Sequence, residues 1–348
     1  MCGIFIVINK KLQPLNLSKC KSALNEMQRR GPDWSFYKTP KKNIFIGQVV
    51  LSMTGKIKKD LSQHYSISNN YFIVFNGEIY NYKSLHTKNL NLKIDEQVSD
   101  TKILVSLFDL KPINQISSLL DGMYAYVVYD KKKNQLIISR DPQGEKSLYI
   151  YENESYIIIS SEVNPIIQFR NDNEINIDVL KTYFYTRHFS QFNKTIFKRI
   201  KNLEPGTLNT LNLSNFRFKN LGKNTMHNYI EEKEFYRNSM RSENDLVSEL
   251  DFLLRKNLRE MIPVNRNFAS IVSGGIDSSL ISNYICKISK PKKLISLNHV
   301  GKDRLAKQIK NFEKHIGKKI FQYKIDSKYY KKNLLKCLNI CNSPINSH

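Results

Sequence analysis

Up to about residue 213, apolar positions come in short continuous or alternating runs separated by turn residues: Gly3 to Ile8, Ile44 to Gln48, Tyr71 to Phe75, Tyr124 to Tyr129, Leu136 to Ser139 and Tyr156 to Ser160. Runs of that length predict strands. Leu17, Cys20, Leu24 and Met27 fall at helical spacing, as do Ile103, Leu104, Leu107 and Phe108, so two helices are predicted among the strands. The pattern describes a sheet-rich α+β domain over residues 2–213. Residues 214–243 are polar and without periodicity and read as a linker. A second domain, 244–348, opens with a helix striped by Leu246, Val247, Leu250, Leu253, Leu254 and Leu258, for which Asn244 is a plausible cap. Strands then alternate with helices: Phe268 to Val272, a helix through Leu280 and Tyr284, Leu294 to Leu297, a helix through Ile309 and Ile316, Ile320 to Ile325, and a helix from Ser327. That alternation predicts an α/β fold with a parallel sheet and helical crossovers.

Composition agrees with two domains in 348 residues, since 41% hydrophobic and 25% charged residues are ordinary globular values. The charge is not ordinary: 55 Lys+Arg against 31 Asp+Glu give +24. The basic residues are scattered in pairs and triplets and are not interleaved with aromatics, so a lysine-rich composition explains the excess better than a nucleic-acid footprint. No apolar run approaches a membrane span, and the start of the chain lacks a signal-peptide core. Five cysteines at irregular spacing, with no C-x-x-C pair, give no disulfide or zinc framework and imply a reducing cytoplasm. Cys337 and Cys341, four residues apart on a predicted helix, read as packing.

Cys2 follows the initiator Met1 and precedes a strand. With Met1 removed, one residue would hold both a thiol and a free α-amine, and an α-amine of pKa about 7.7–8.0 can serve as general base at neutral pH. Taken alone, Cys2 reads equally as a small buried hydrophobe at a strand start. Downstream, in order, come Arg29-Arg30-Gly31-Pro32-Asp33, Asn76-Gly77-Glu78-Ile79-Tyr80-Asn81, Ser99-Asp100 and Arg140-Asp141-Pro142-Gln143-Gly144-Glu145-Lys146. With Met-Cys-Gly-Ile-Phe at the start, this ordered set resembles the class II glutamine amidotransferases, and specifically the N-terminal domain of glutamine-hydrolysing asparagine synthetases.

The resemblance implies an Ntn-hydrolase-like αββα sandwich. It implies Cys2 as the nucleophile on the glutamine side-chain amide, with the Asn76 side chain and the Gly77 N–H as the oxyanion hole. Leu51, Met53, Asn76, Gly77, Glu78 and Asp100 would hold glutamine, with the two acidic residues reading its polar groups, and Arg30 and Asp33 would support loops over the pocket. One departure stands out. The family carries an arginine for the glutamine carboxylate in a segment Arg-Leu-Ser-Ile, and here Val50 precedes Leu51-Ser52-Met53, leaving Lys56 or Lys58 as substitutes without a spacing argument.

In the second domain, Ser273-Gly274-Gly275-Ile276-Asp277-Ser278-Ser279 lies between a predicted strand and helix. Paired glycines free backbone N–H groups to ring an anion, and the helix N-terminus and serine hydroxyls add donors. The motif resembles the pyrophosphate loop of the ATP pyrophosphatases. That resemblance implies a Rossmann-like domain binding ATP through Ser273, Gly274, Gly275, Asp277, Ser278 and Ser279, with adenine-side contacts from Ile271 and Leu297, and Asp277 helping to hold Mg²⁺. Together the two halves imply an asparagine synthase: glutamine supplies ammonia, ATP adenylates aspartate, and asparagine, glutamate, AMP and pyrophosphate result. Family members usually continue much further, so the synthetase half is expected to be its N-terminal part only, either as a truncated product, or with a separate chain supplying the rest, or with synthesis lost; a homodimer is the other partner expected. Two other readings stay open: a regulatory protein that keeps the fold with impaired catalysis, and an amidotransferase for another carboxylate acceptor.

Overall fold

Alternate residues of β1 (Gly3–Asn9) belong to two different cores, which is why this strand is apolar throughout. Ile4, Ile6 and Ile8 point one way, into a cluster with Ile44 and Ile46 of β3 (Ile44–Val50), Phe72 and Val74 of β4 (Tyr71–Ile79), and Ala125 and Val127 of β5 (Gly122–Asp130). Phe5 and Val7 point the other way, onto Cys20, Ala23 and Leu24 of α1 (Leu17–Asn25) and Ile166 and Phe169 of α5 (Val163–Arg170). The computed structural model describes residues 1–54, 67–90, 99–170, 174–187, 193–223, 239–263, 266–299 and 303–341.

Two antiparallel sheets make up the first unit. The six-stranded sheet has the order β2-β3-β1-β8-β7-β9, with β2 Trp34–Lys41, β7 Tyr149–Glu152, β8 Tyr156–Ser160 and β9 Ile200–Asn202. The five-stranded sheet has the order β11-β10-β6-β5-β4, with β6 Gln135–Arg140, β10 Thr207–Asn212 and β11 Phe218–Lys223. On the outer face of the second sheet lie α2 (Tyr82–Leu90), α3 (Asp100–Leu110) and α4 (Ile113–Leu119), through Leu85, Ile103, Leu107 and Ile116. A further helix, α6 (Ile177–Thr186), follows α5 in the chain. The layers therefore run helix, sheet, sheet, helix, the αββα order expected from the motifs.

The chain divides near residue 231 into two compact units. The expected linker, 214–243, instead contributes β11, which pairs antiparallel with β10 as an edge strand. Its residues are almost all exposed, so no alternation of polarity marks it in the sequence. The second unit starts with α7 (Glu243–Met261), capped by Ser242, whose Oγ accepts from the Asp245 N–H at 3.2 Å; the cap is not Asn244. Both residues can cap, and the helix simply begins in the polar stretch before its apolar stripe.

Three parallel strands follow in the order β12-β13-β14, namely Ala269–Ile271, Lys293–His299 and Ile320–Ile325. They are connected by α8 (Ile276–Ile288) and α9 (Asp303–Ile316), and α10 (Ser327–Cys341) closes the run. The core of this unit is small: Val272, Leu294, Ile309 and Ile320, backed by Cys286, Phe312 and Ile316. Asp251 ties α7 to α8, accepting from Arg255 Nε at 2.7 Å and Tyr284 OH at 2.5 Å, and these donors hold its carboxyl down at about 2. Most of the α7 stripe, Leu246, Val247, Leu250 and Leu253, is exposed, as is Cys337, which therefore does not pack. Among the described residues no helix is long and apolar enough to cross a membrane.

Candidate active site

The period of two that builds the sandwich also builds the site. Along the inner face, the rows Ile4-Ile6-Ile8, Ile44-Ile46 and Phe72-Val74 are apolar, and each turns polar at one end of its strand. The same alternation continues those rows as Cys2 before β1, Gln48 in β3, and Asn76 and Glu78 in β4. Cys2 and Gln48 are buried and Asn76 is wholly so, while Glu78 is half-buried.

Gln48 couples the two sheets. Its Nε2 donates to the Phe75 carbonyl at 2.7 Å and its Oε1 accepts from the Phe75 N–H at 3.0 Å, while its amide also lies within electrostatic reach of the Cys2 thiol. This residue was missed in the sequence, where a glutamine among valines gives no signal. β4 is an edge strand, so the N–H groups of Phe75, Gly77 and Ile79 share its open side. Gln48 satisfies the first, and Asp100 Oδ2 satisfies the third at 3.2 Å. The Gly77 N–H between them lies on the same open side, and neither polar atom of the buried Asn76 amide has a partner among the described residues. Both groups stand on one strand at the inner end of the sandwich. Buried polar groups are nearly always paired, so a buried amide left vacant there marks a place for a ligand oxygen.

Gly77 cannot carry a side chain. A Cβ there would stand 2.1 Å from the Met123 carbonyl oxygen and 2.7 Å from Tyr124 Cα on β5. Gly77→Ala is expected to destabilise the domain by about 1–3 kcal/mol and to move the donor edge, measured as a lower denaturant midpoint.

Cys2 Sγ lies 3.6 Å from the Leu51 carbonyl oxygen, and burial raises its thiol above the usual range. The thiol therefore rests protonated at neutral pH. Burial lowers the Met1 amine, with the Cys2 charge opposing and the Arg30 and Lys146 charges adding to the shift. Arg30 has a defined role: its Nε donates to the Cys2 carbonyl at 2.9 Å, and its Nη1 pairs with Glu162 at 3.0 Å. Asp33 Oδ2 accepts from the Ser52 N–H at 2.8 Å, fixing the segment that carries Leu51 and Met53. Leu51 is half-buried and Met53 exposed. Val50 packs against the inter-sheet core, and Lys56 and Lys58 lie outside the described residues.

Ser99 caps α3 and brings Asp100 to its first turn, where the buried carboxylate accepts from Thr54 Oγ1 and the Thr101 N–H, each at 2.7 Å, besides Ile79. Burial nevertheless raises its pKa. Glu78 is pushed up to about 7, by burial first and then by the Asp100 charge, with Lys146 opposing. A raised carboxyl loses its charge as pH falls through that value. The apparent KM for a substrate held by its ammonium group is expected to rise about tenfold from about pH 8 to about pH 6, and Glu78→Gln to abolish that slope, read from initial rates across the range.

In the second unit, β12 leads through Val272 into the loop and α8. Gly274 has φ +88, a left-handed conformation that favours glycine, and Gly275 is the N-cap with no side-chain capping bond. Ser273 and Ser278 hydroxyls stand 2.8 Å apart across the loop. Asp277 and Ser279 lie in the first turn of α8, with Asp277 exposed. Ile271 and Leu297 are 64% and 51% exposed, unusual for apolar residues in strands, so both are available for contact. Among the described residues, no group of three or more His, Cys, Asp or Glu side chains forms a metal cluster.

Residues 1–221 match the glutamine amidotransferase domain family. The chain belongs to that family. Relatives of the amidotransferase include a probable glutamine-hydrolysing asparagine synthetase of Acanthamoeba polyphaga mimivirus, 26% identical over 85% of this chain and 51% of its own length. Glutamine-hydrolysing asparagine synthetase 1 of Bacillus subtilis (strain 168) is 29% identical over 81% of this chain and 43% of its own length. A third, asparagine synthetase B of Escherichia coli (strain K12), is 28% identical over 48% of this chain and 30% of its own length. The chain thus spans about half the length, or less, of these curated relatives.

Proposed function

We propose that the first unit releases ammonia from glutamine at Cys2 and that the second binds ATP within a Rossmann-like fold, for glutamine-dependent synthesis of asparagine from aspartate. The observation that carries the glutaminase reading is the fully buried, unpartnered Asn76 amide on the inner end of β4, next to the Gly77 N–H on that strand's open side. Once Met1 is removed, the Cys2 amine takes the thiol proton and the sulfur attacks the side-chain carbonyl carbon of glutamine. Asn76 and Gly77 hold the oxyanion that forms. The proton then passes to the leaving nitrogen, ammonia departs, and a γ-glutamyl thioester remains for water to hydrolyse to glutamate.

Support for ATP binding comes from the loop after β12, where Gly274, Gly275 and the uncapped start of α8 suit a phosphate group. Magnesium, when bound, would neutralise charge on departing pyrophosphate. Asp277 is the residue that would help to hold it. Aspartate, or another carboxylate acceptor, would complete the reaction.

The test is glutamate release from glutamine by protein lacking Met1, with and without ATP, magnesium and aspartate, alongside assays for AMP and pyrophosphate. Release no greater than that of Cys2→Ala rejects the glutaminase. Release without AMP or pyrophosphate confines the chain to the glutaminase half-reaction.

A further inference from the structure

The motif from Arg140 to Lys146 spends nearly all of its polar groups on building a turn. Arg140 donates to the carbonyls of Lys146 at 2.6 Å, Gly144 at 2.5 Å and Leu203, and to Asn202 Oδ1 at 3.2 Å. Asp141 accepts from the N–H groups of Glu145 at 2.9 Å and Lys146 at 3.1 Å. The head of Lys146 is the exception. The residue is only 7% exposed, and among the described residues its ammonium forms no ion pair; its one hydrogen-bond partner is Met1 Sδ at 3.6 Å, a weak acceptor. Arg30 Nη2 reaches the same sulfur at 3.9 Å.

A buried ammonium with no ion pair among the described residues, on which the Glu145, Asp141 and Glu78 carboxylates act only at longer range, costs stability, and a fixed turn that maintains one needs a reason. Its electrostatic neighbours place it at the site, since Lys146 acts on the N-terminal amine and on Glu78. Glu78 and Asp100 give the pocket negative charge suited to an ammonium, but the carboxylate of an amino acid needs a cation. Val50 is apolar and packed in the core, and Arg30 is engaged by Glu162 and the Cys2 carbonyl. Among the described residues Lys146 is the cation left over, and removal of Met1 would clear the position its ammonium now contacts.

We propose that Lys146 receives the α-carboxylate of the amino-acid substrate in the Cys2 site. The proposal rests on the glutaminase reading and names the residue that would select a zwitterionic substrate. A lysine serves as a point charge, without the two-pronged geometry of arginine.

The experiment compares L-glutamine with L-glutaminamide, which keeps the reacting amide and the ammonium but lacks the carboxylate, using protein freed of Met1. Wild type is expected to prefer glutamine in kcat/KM. Lys146→Met is expected to lower that preference by about 10- to 100-fold, mainly through KM, and Lys146→Arg to keep most of it. Because the readout is a ratio, a variant merely damaged in folding loses both rates and leaves it unchanged. An unchanged ratio overturns the proposal, as does a wild type that takes glutaminamide as readily as glutamine. Calorimetric binding of L-glutamine to Cys2→Ala, with and without Lys146→Met, separates this inference from its parent. Lys146-dependent binding, found together with a Met1-free wild type that releases no glutamate from glutamine, keeps the inference and rejects the glutaminase. Binding that is absent, or indifferent to Lys146, overturns the inference.

Discussion

Cys2→Ala is expected to reduce glutamine hydrolysis by on the order of 10⁴-fold or more, because it removes the only atom able to form the thioester while leaving the pocket in place. Structure should survive the change. The Cys2 thiol precedes β1 and makes one long hydrogen bond, to the Leu51 carbonyl, while the bond from Arg30 goes to a backbone carbonyl that alanine keeps, so the melting temperature is expected to stay near that of the wild type while activity disappears. The same reasoning makes retention of Met1 inhibitory. With Met1 attached, the Cys2 nitrogen is an amide and cannot accept the thiol proton, and burial keeps that thiol protonated at neutral pH. Protein expressed with its initiator methionine blocked from removal is therefore expected to lose most glutamate release, although its fold and Cys2 are unaltered. Full activity in the blocked protein would exclude the Cys2 amine as the base.

Asn76→Ala is expected to lower kcat by about 10²- to 10³-fold, about 3–4 kcal/mol, with a much smaller change in KM, since the lost donor acts on charge that develops only during attack. Stability should change in the opposite sense to most buried substitutions. The Asn76 amide is fully buried with neither polar atom paired, so its removal relieves a desolvation cost that nothing in the resting protein offsets. An alanine variant that is at least as stable as wild type but slow in turnover would mark Asn76 as a group held for reaction. A variant equally slow and clearly less stable would instead make it a structural residue.

Much of this was legible before any coordinates. β8, β14 and the start of α10 fall where the pattern puts them, because their apolar runs end at unambiguous turn residues. β2, β9 and β11 were not legible, because short, half-exposed or edge strands lack the one-sided burial that writes alternation into a sequence. Within the site, Asn76 and Gly77 are ambiguous locally, since an Asn-Gly pair usually marks a hairpin turn, yet here both lie inside β4. Gln48 could not have been found at all from its own neighbourhood. Its value comes from spanning two strands, β3 and β4, whose bonded residues Gln48 and Phe75 stand 27 positions apart in the chain.

By itself, the sequence determined the place of Cys2 before the first strand, the ordered motifs, the sheet-rich and the parallel halves and the glycine loop after β12. Each of these depends on residues adjacent in the chain, where covalent spacing and local propensity are enough. Only the tertiary structure decided that the Asn76 amide is buried without a partner, that Arg30 is consumed by Glu162 and the Cys2 carbonyl, and that Lys146 forms no ion pair among the described residues. Whether a polar group is spent or free depends on partners from distant strands, and those meet only when the two sheets stack and bring the polar ends of their inner rows together.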